Sequence, residues 1–326
     1  MNTTQHLLKA EIHVHLEATI TPTLCRKFAA RNNVSLSDDI FGSTYAYAWT
    51  DFYDFIKKYD IVTSVIHTPE DYKELTYNYL KECSENNVLY VEAMISSAHA
   101  KQKGMTYHTF LEGVVEGAKK AEKDFGIISK YIMNGIRHLG PYSVQKTAEE
   151  VLNNPHPELV GFGLAGDELN FPPKLFTKTF DMLKEAKFPI TVHAGEWDGP
   201  ERIRDAIQLL HPTRLGHGVR SIEDPRLVEE LKEMNIVLEI CPTSNIATKI
   251  YSNYENHPVK KLFELGVKVT VNSDDPPFFN ASIANEYEVM AKLGLSNEEL
   301  SSLTRNAIQY SFCDQATRKQ LLEKLN

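Results

Sequence analysis

The chain has 326 residues, 42% of them hydrophobic and 24% charged, and 35 Lys+Arg against 44 Asp+Glu give a net charge of −9. This balance suits a globular chain with a sizeable core, expected to form a single domain over residues 1–326. It offers no basic stripe for a nucleic acid and no run near the ~20 apolar residues of a membrane helix, so neither partner is expected.

The opening MNTTQHLLKAE has no basic region followed by a long apolar stretch, so a cytoplasmic chain is expected. Short β-branched and apolar runs then recur: EIHVHL (11–16), VLYVEAMI (88–95), YIMNGIRH (131–138), LVGFGLAG (159–166), PITVHAG (189–195), TRLGHG (213–218), IVLEICPTS (236–244) and KVTVNSDD (268–275). Helical patterns such as HTFLEGVVEGAKKAEKDFG and DPRLVEELKEMN separate them. Eight such alternations predict an α/β fold, a (β/α)8 barrel of the TIM type, with further helices from Asn280 onward.

Residues 19–87, between the first two strands, form a helical insertion longer than an ordinary loop. Within it Trp49, Phe52, Phe55, Ile56 and Tyr59 recur at helical spacing. Such a face either packs against the barrel or covers its mouth as an apolar wall for a flat ligand. Cys25, Cys83, Cys241 and Cys313 include no C-x-x-C pair. Spacing therefore gives no thiolate metal site, redox dithiol or zinc centre of the cytidine-deaminase type.

The polar residues gather at the C-terminal ends of the strands, where a barrel carries its active site. His13 and His15 alternate on one face of the first strand, with Glu17 next on that face. His193 ends the fifth strand and Asp274 the eighth. Three imidazoles and a carboxylate suit Zn²⁺ with a position left open for water. The fourth strand ends Leu-Ala-Gly-Asp-Glu, without a lysine to bridge two metals, so one ion is expected. Glu196 and His217 stand close enough in the pattern to act as separate proton donor and base. These residues describe a mononuclear metal hydrolase without naming the bond it breaks.

KAEIHVHLEAT, GFGLAGDE, TVHAGE, RLGHG, CPTSN and VNSDDP occur in an order that resembles the adenosine deaminase family of the amidohydrolase superfamily. The resemblance implies one Zn²⁺ per chain, held by His13, His15, His193 and Asp274. It implies that Glu196 protonates purine N1 while His217 steers water to C6. Substrate contacts would come from Asp275 to N7, the Gly166 N–H to N3, His15, and the acidic position of Glu17 to a ribose hydroxyl. The implied partner is a small purine nucleoside, adenosine or 2′-deoxyadenosine, converted to the inosine product and ammonia.

Two features depart from the adenosine branch. His-Leu-Glu-Ala stands where Asp then Gly is usual, and resembles the adenine deaminase branch; VEAMISS lacks the arginine common after its Glu. GLAGDE and CPTSN resemble the adenosine branch, since adenine-specific relatives usually read Ser-Ser-Glu and Cys-Pro-Leu-Ser-Asn. Adenosine is the expected substrate, with adenine or another 6-aminopurine derivative such as aminodeoxyfutalosine as the alternative.

Overall fold

The computed structural model describes residues 4–325. Its centre is a barrel of eight parallel strands in sequential order: β1 (Lys9–His15), β2 (Val88–Ile95), β3 (Ile128–Ile136), β4 (Leu159–Ala165), β5 (Ile190–Ala194), β6 (Arg214–His217), β7 (Val237–Ile240) and β8 (Lys268–Val271). Helices cover the outside, so each strand is buried on both faces and reads as a nearly continuous apolar run. The ring is drawn together at its upper rim just past β8. There the His15 N–H donates to the Asp274 carbonyl at 3.0 Å, and the Asp274 N–H to the His13 carbonyl at 3.2 Å. Three residues expected at the site, His13, His15 and Asp274, are thus part of the closure itself.

The expected insertion holds three principal helices, α1 (Pro22–Arg31), α2 (Phe52–Thr63) and α3 (Pro69–Glu85). Each begins at a polar cap. The Thr21 hydroxyl accepts from Leu24 N, the Asp51 carboxylate from Tyr53 and Asp54 N, and Thr68 forms a reciprocal box with Asp71. At the opposite end of the barrel the helix Asn297–Gln309 crosses β1 and β8, where Thr304 donates to the Leu8 carbonyl and Asn306 to that of Val269. Among the described residues no helix is long and apolar enough to cross a membrane.

The barrel interior carries charge as well as hydrocarbon. Arg214, 1% exposed at its side chain, pairs with Glu92 of β2 at 2.7 Å and Glu239 of β7 at 2.5 Å. Its guanidinium lies 3.6 Å over the Phe312 ring, and the Tyr90 hydroxyl and the Phe312 N–H donate to the other Glu92 oxygen. Replacing the cation alone strands two buried carboxylates. Arg214→Met is expected to lower unfolding free energy by about 3–5 kcal/mol, read from the denaturation midpoint.

Candidate active site

The strand ends bring candidate ligand atoms together: those of His13, His193, His217 and Asp274 all lie within 4.8 Å of one another, as do those of His15, Asp274 and Asp275. Nε2 of His15 and Nε2 of His193 lie 3.2 Å apart, and Asp274 Oδ1 is 3.5 Å from Nε2 of both His13 and His15. His217 approaches the other Asp274 oxygen at 4.0 Å. Ligand atoms about 2.0–2.1 Å from one tetrahedral ion stand at separations of this order. Two further observations fit a cation. His13 Nε2 is buried without a hydrogen-bond partner among the described residues, and its other nitrogen is already committed. Two imidazole nitrogens facing each other at 3.2 Å also need a shared proton or ion between them.

Each of these side chains is held from behind. Nδ1 of His13 donates to Glu239 Oε2 at 2.8 Å, and the same oxygen accepts from the Thr191 hydroxyl at 3.0 Å. That bond fixes the tautomer and leaves Nε2 with a free lone pair. Ser244 donates to Asp274 Oδ2 at 2.7 Å, leaving Oδ1 for the cluster. Glu11 receives the Ser273 N–H and hydroxyl at 2.6 and 2.5 Å, and Tyr79 donates to its second oxygen. It anchors the turn that carries Asp274.

His217 and Asp274 have φ of 59° and 63°, left-handed values that are costly for such residues and recur at functional sites. Space for the rings comes from Gly216, where an added Cβ would lie 2.7 Å from His13 Cε1 and 3.1 Å from His193 Cγ.

Glu196 lies beside the cluster, its carboxylate 3.6 Å from His217 Nε2. Burial, reinforced by the charges of Asp274 and Glu168, holds its pKa well above the usual carboxylate range. Its backbone is clamped by Glu168, which accepts the N–H groups of Gly195, Glu196 and Trp197 at 2.6, 3.2 and 3.0 Å. Burial pushes His217 down to about 3, the neutral form, against the pull of Asp274. Asp275 is raised well above its ordinary value by burial and by Asp274, and its Oδ1 has no partner among the described residues.

These groups open into a cleft at the barrel mouth. His15, Gly166, His193, Glu196, His217, Asp274 and Asp275 all line it, and His13 lies fully buried beside His15 and His193. Phe52, Phe55, Ile56 and Tyr59 of α2 form an apolar wall, so the helical face expected in the insertion does cover the mouth. Trp49 instead packs edge-on against Phe55 of that helix, at 5.8 Å between ring centroids, and donates to the Phe278 carbonyl at 2.8 Å. Phe52 meets Trp197 across the opening at 4.4 Å between ring centroids.

Glu17 is the exception among the expected site residues. The strand stops at His15, and Leu16–Thr19 turns into a 3₁₀ helix that ends the alternation of faces. Glu17 is 1% exposed, accepts the Ser96 N–H at 2.8 Å and the Tyr72 hydroxyl at 3.4 Å, and is not among the residues lining the cleft. The sequence reading also gave no role to Glu239, Glu168, Glu11 or Ser244. Glu11 and Glu239 had a visible signal, a carboxylate inside an otherwise apolar strand.

A profile of the adenosine deaminase family matches residues 8–326. The chain belongs to the adenosine deaminase family. This deaminase-family chain is 42% identical over 324 residues to an adenine deaminase of Sinorhizobium fredii, covering 99% of each, and 42% identical over 323 residues to one of Agrobacterium fabrum with the same coverage. Among solved structures it resembles an adenine deaminase from Arthrobacter aurescens, with 30% identity, TM-score 0.91 and 97% of each chain covered. An Arabidopsis N6-mAMP deaminase follows at 25% identity and TM-score 0.87, covering 100% of this chain and 99% of that one. The protein is therefore a hydrolytic deaminase, and its His/Asp cluster is a metal site of the amidohydrolase kind.

Gly216→Ala is expected to push apart the His13 and His193 rings. Metal per chain, by elemental analysis, should fall severalfold while far-ultraviolet circular dichroism keeps the folded signature.

Proposed function

We propose that the protein deaminates adenine, releasing hypoxanthine and ammonia, with one Zn²⁺ held by His13, His15, His193 and Asp274. The observation that carries the choice of free base over nucleoside is the placement of Glu17. At the position assigned to a ribose hydroxyl by the resemblance, this side chain is turned into the protein and engaged with Ser96 and Tyr72. The full-length relatives described as adenine deaminases support the same choice. Adenine thus replaces the adenosine expected from the sequence.

The motifs that favoured adenosine have other work here. Glu168 of GLAGDE clamps the turn that carries Glu196, and Ser244 of CPTSN holds Asp274. Thr243, where adenine-specific relatives usually carry Leu, directs its hydroxyl to Tyr254 at 3.1 Å, outside the cleft lining. These contacts serve the deamination of either substrate and carry no information about N9.

A divalent ion in this cluster supplies Lewis-acid activation of water. Glu196, held protonated by its surroundings, gives its proton to N1 and draws electron density from C6. His217, neutral and beside Glu196, orients the attacking water and accepts its proton. As the water oxygen bonds to C6, that proton passes to the exocyclic nitrogen, the C6–N bond breaks and ammonia leaves, while the remaining C6 hydroxyl proton returns to Glu196 as C6=O forms. Asp275, protonated by the same logic that applies to Glu196, donates to N7, and the Gly166 N–H meets N3. Both bonds strengthen as the ring loses aromaticity.

A panel of adenine, adenosine, 2′-deoxyadenosine and AMP is expected to show adenine turned over with the highest kcat/KM; a preference for adenosine overturns the substrate choice. Glu196→Gln should keep its metal and lose about 10²–10⁴ in kcat, because the proton donor goes while the ligands stay.

A further inference from the structure

The rim of the barrel divides chemically. The arc from β5 through β8 to β1 carries His193, Glu196, His217, Asp274, Asp275 and His15. The facing arc, just past β2, β3 and β4, presents His99, His138 and Gly166 to the same cleft. His99 is 7% exposed, and neither its ring nitrogens nor those of His138 have a hydrogen-bond partner among the described residues. His138 lies directly against Gly166: a Cβ on that glycine would stand 2.8 Å from His138 Nδ1.

His99 Nε2 faces Asp60 Oδ1 at 3.5 Å, and the other three ring nitrogens of this wall meet nothing among the described residues, which is expensive unless a ligand meets them, since each buried orphan costs about 1–3 kcal/mol. A neutral imidazole offers one donor and one acceptor. The ligand edge that matches is therefore itself both donor and acceptor. With C6 turned to the metal arc, a free purine base points its N3 acceptor and N9–H donor at this wall. A nucleoside has no hydrogen on N9. A nucleotide would bring its phosphate near Asp60, whose Oδ1 lies 3.5 Å from His99 Nε2, and near Asp167, the other acidic neighbour of His138. That environment disfavours an anion.

We propose that His99 and His138 form a subsite that reads the N9–H edge of a free 6-aminopurine base, beside the Gly166 N–H at N3, with His138 accepting the N9 hydrogen. This rests on the adenine reading above and adds the residues that enforce it. A site built to hydrogen-bond a substrate N–H discriminates strongly against the analogue that lacks it, because its polar groups are then left unpaired.

The test compares adenine with 9-methyladenine as substrates, and hypoxanthine with 9-methylhypoxanthine as binding competitors, on the metal-loaded protein. Wild type should favour the unsubstituted base by ~10² or more in kcat/KM. His138→Ala should lose ~10–10² towards adenine and at most about threefold towards 9-methyladenine, so the preference collapses. His138→Asn, which keeps a donor and an acceptor, should retain part of it, and His99→Asn should reduce it less. If His138→Ala does not fold, the Asn variant and the competitor affinities measure the same ratio.

A preference that stays within about threefold of wild type in both His138 and His99 variants overturns the subsite alone, as does a wild type that accepts 9-methyladenine as readily as adenine. A wild type that prefers adenosine overturns the adenine reading and the subsite together.

Discussion

Glu239 is the side chain on which both the barrel and the site depend. It is fully buried, and burial alone would push its carboxyl up, yet Arg214 and His13 more than reverse this and keep it an anion. On one side it neutralises Arg214, whose other partner is Glu92 across the barrel. On the other it accepts Nδ1–H of His13 and so presents Nε2 of that ring to the cluster. Charges this deep are tolerated only when every member is paired. The chain Glu92–Arg214–Glu239–His13 satisfies that condition from the middle of the barrel to its active rim. The stability of the core and the orientation of His13 are therefore one electrostatic problem with one solution.

The same economy marks the rim. Asp274 supplies a carboxylate to the cluster and two backbone hydrogen bonds to β1, so the barrel's closure and the gathering of His13, His15 and Asp274 are a single event. Its left-handed backbone is held by Glu11 through the neighbouring Ser273 and by Ser244 through the carboxylate itself. A strained residue persists only where several such contacts over-determine it.

The eight strands and the gathering of His13, His15, His193, Glu196, His217, Asp274 and Asp275 were legible because both rest on short-range pattern. A parallel strand is a compact apolar run, and a barrel displays whatever follows its end. Glu17 was misplaced because alternation cannot say where a strand stops: one 3₁₀ turn after His15 rotates it into the protein. Glu239 and Ser244 were visible as residues but not as partners, since their roles depend on which strand ends lie together. His99 belongs to the short helix Ser97–Gln102 past β2, and no periodicity in the chain relates it to His138 past β3.

This division explains why substrate identity was harder to read than chemistry. The groups proposed to handle N1, C6 and the ion sit at strand ends or on turns clamped by buried carboxylates, and each carries a recognisable motif. The groups that line the facing side of the cleft come from α2, from the helix after β2 and from the turn after β3. Those segments also carry outer surface, and their shape can change without disturbing Glu239 or Glu168. A family that keeps its charge-bearing rim and varies the facing arc can exchange free base for nucleoside with the deamination machinery intact. On the proposed reading, motifs such as GLAGDE and CPTSN report the reaction, and the substrate is read by side chains such as His99 and His138, with Glu17 turned away from the cleft.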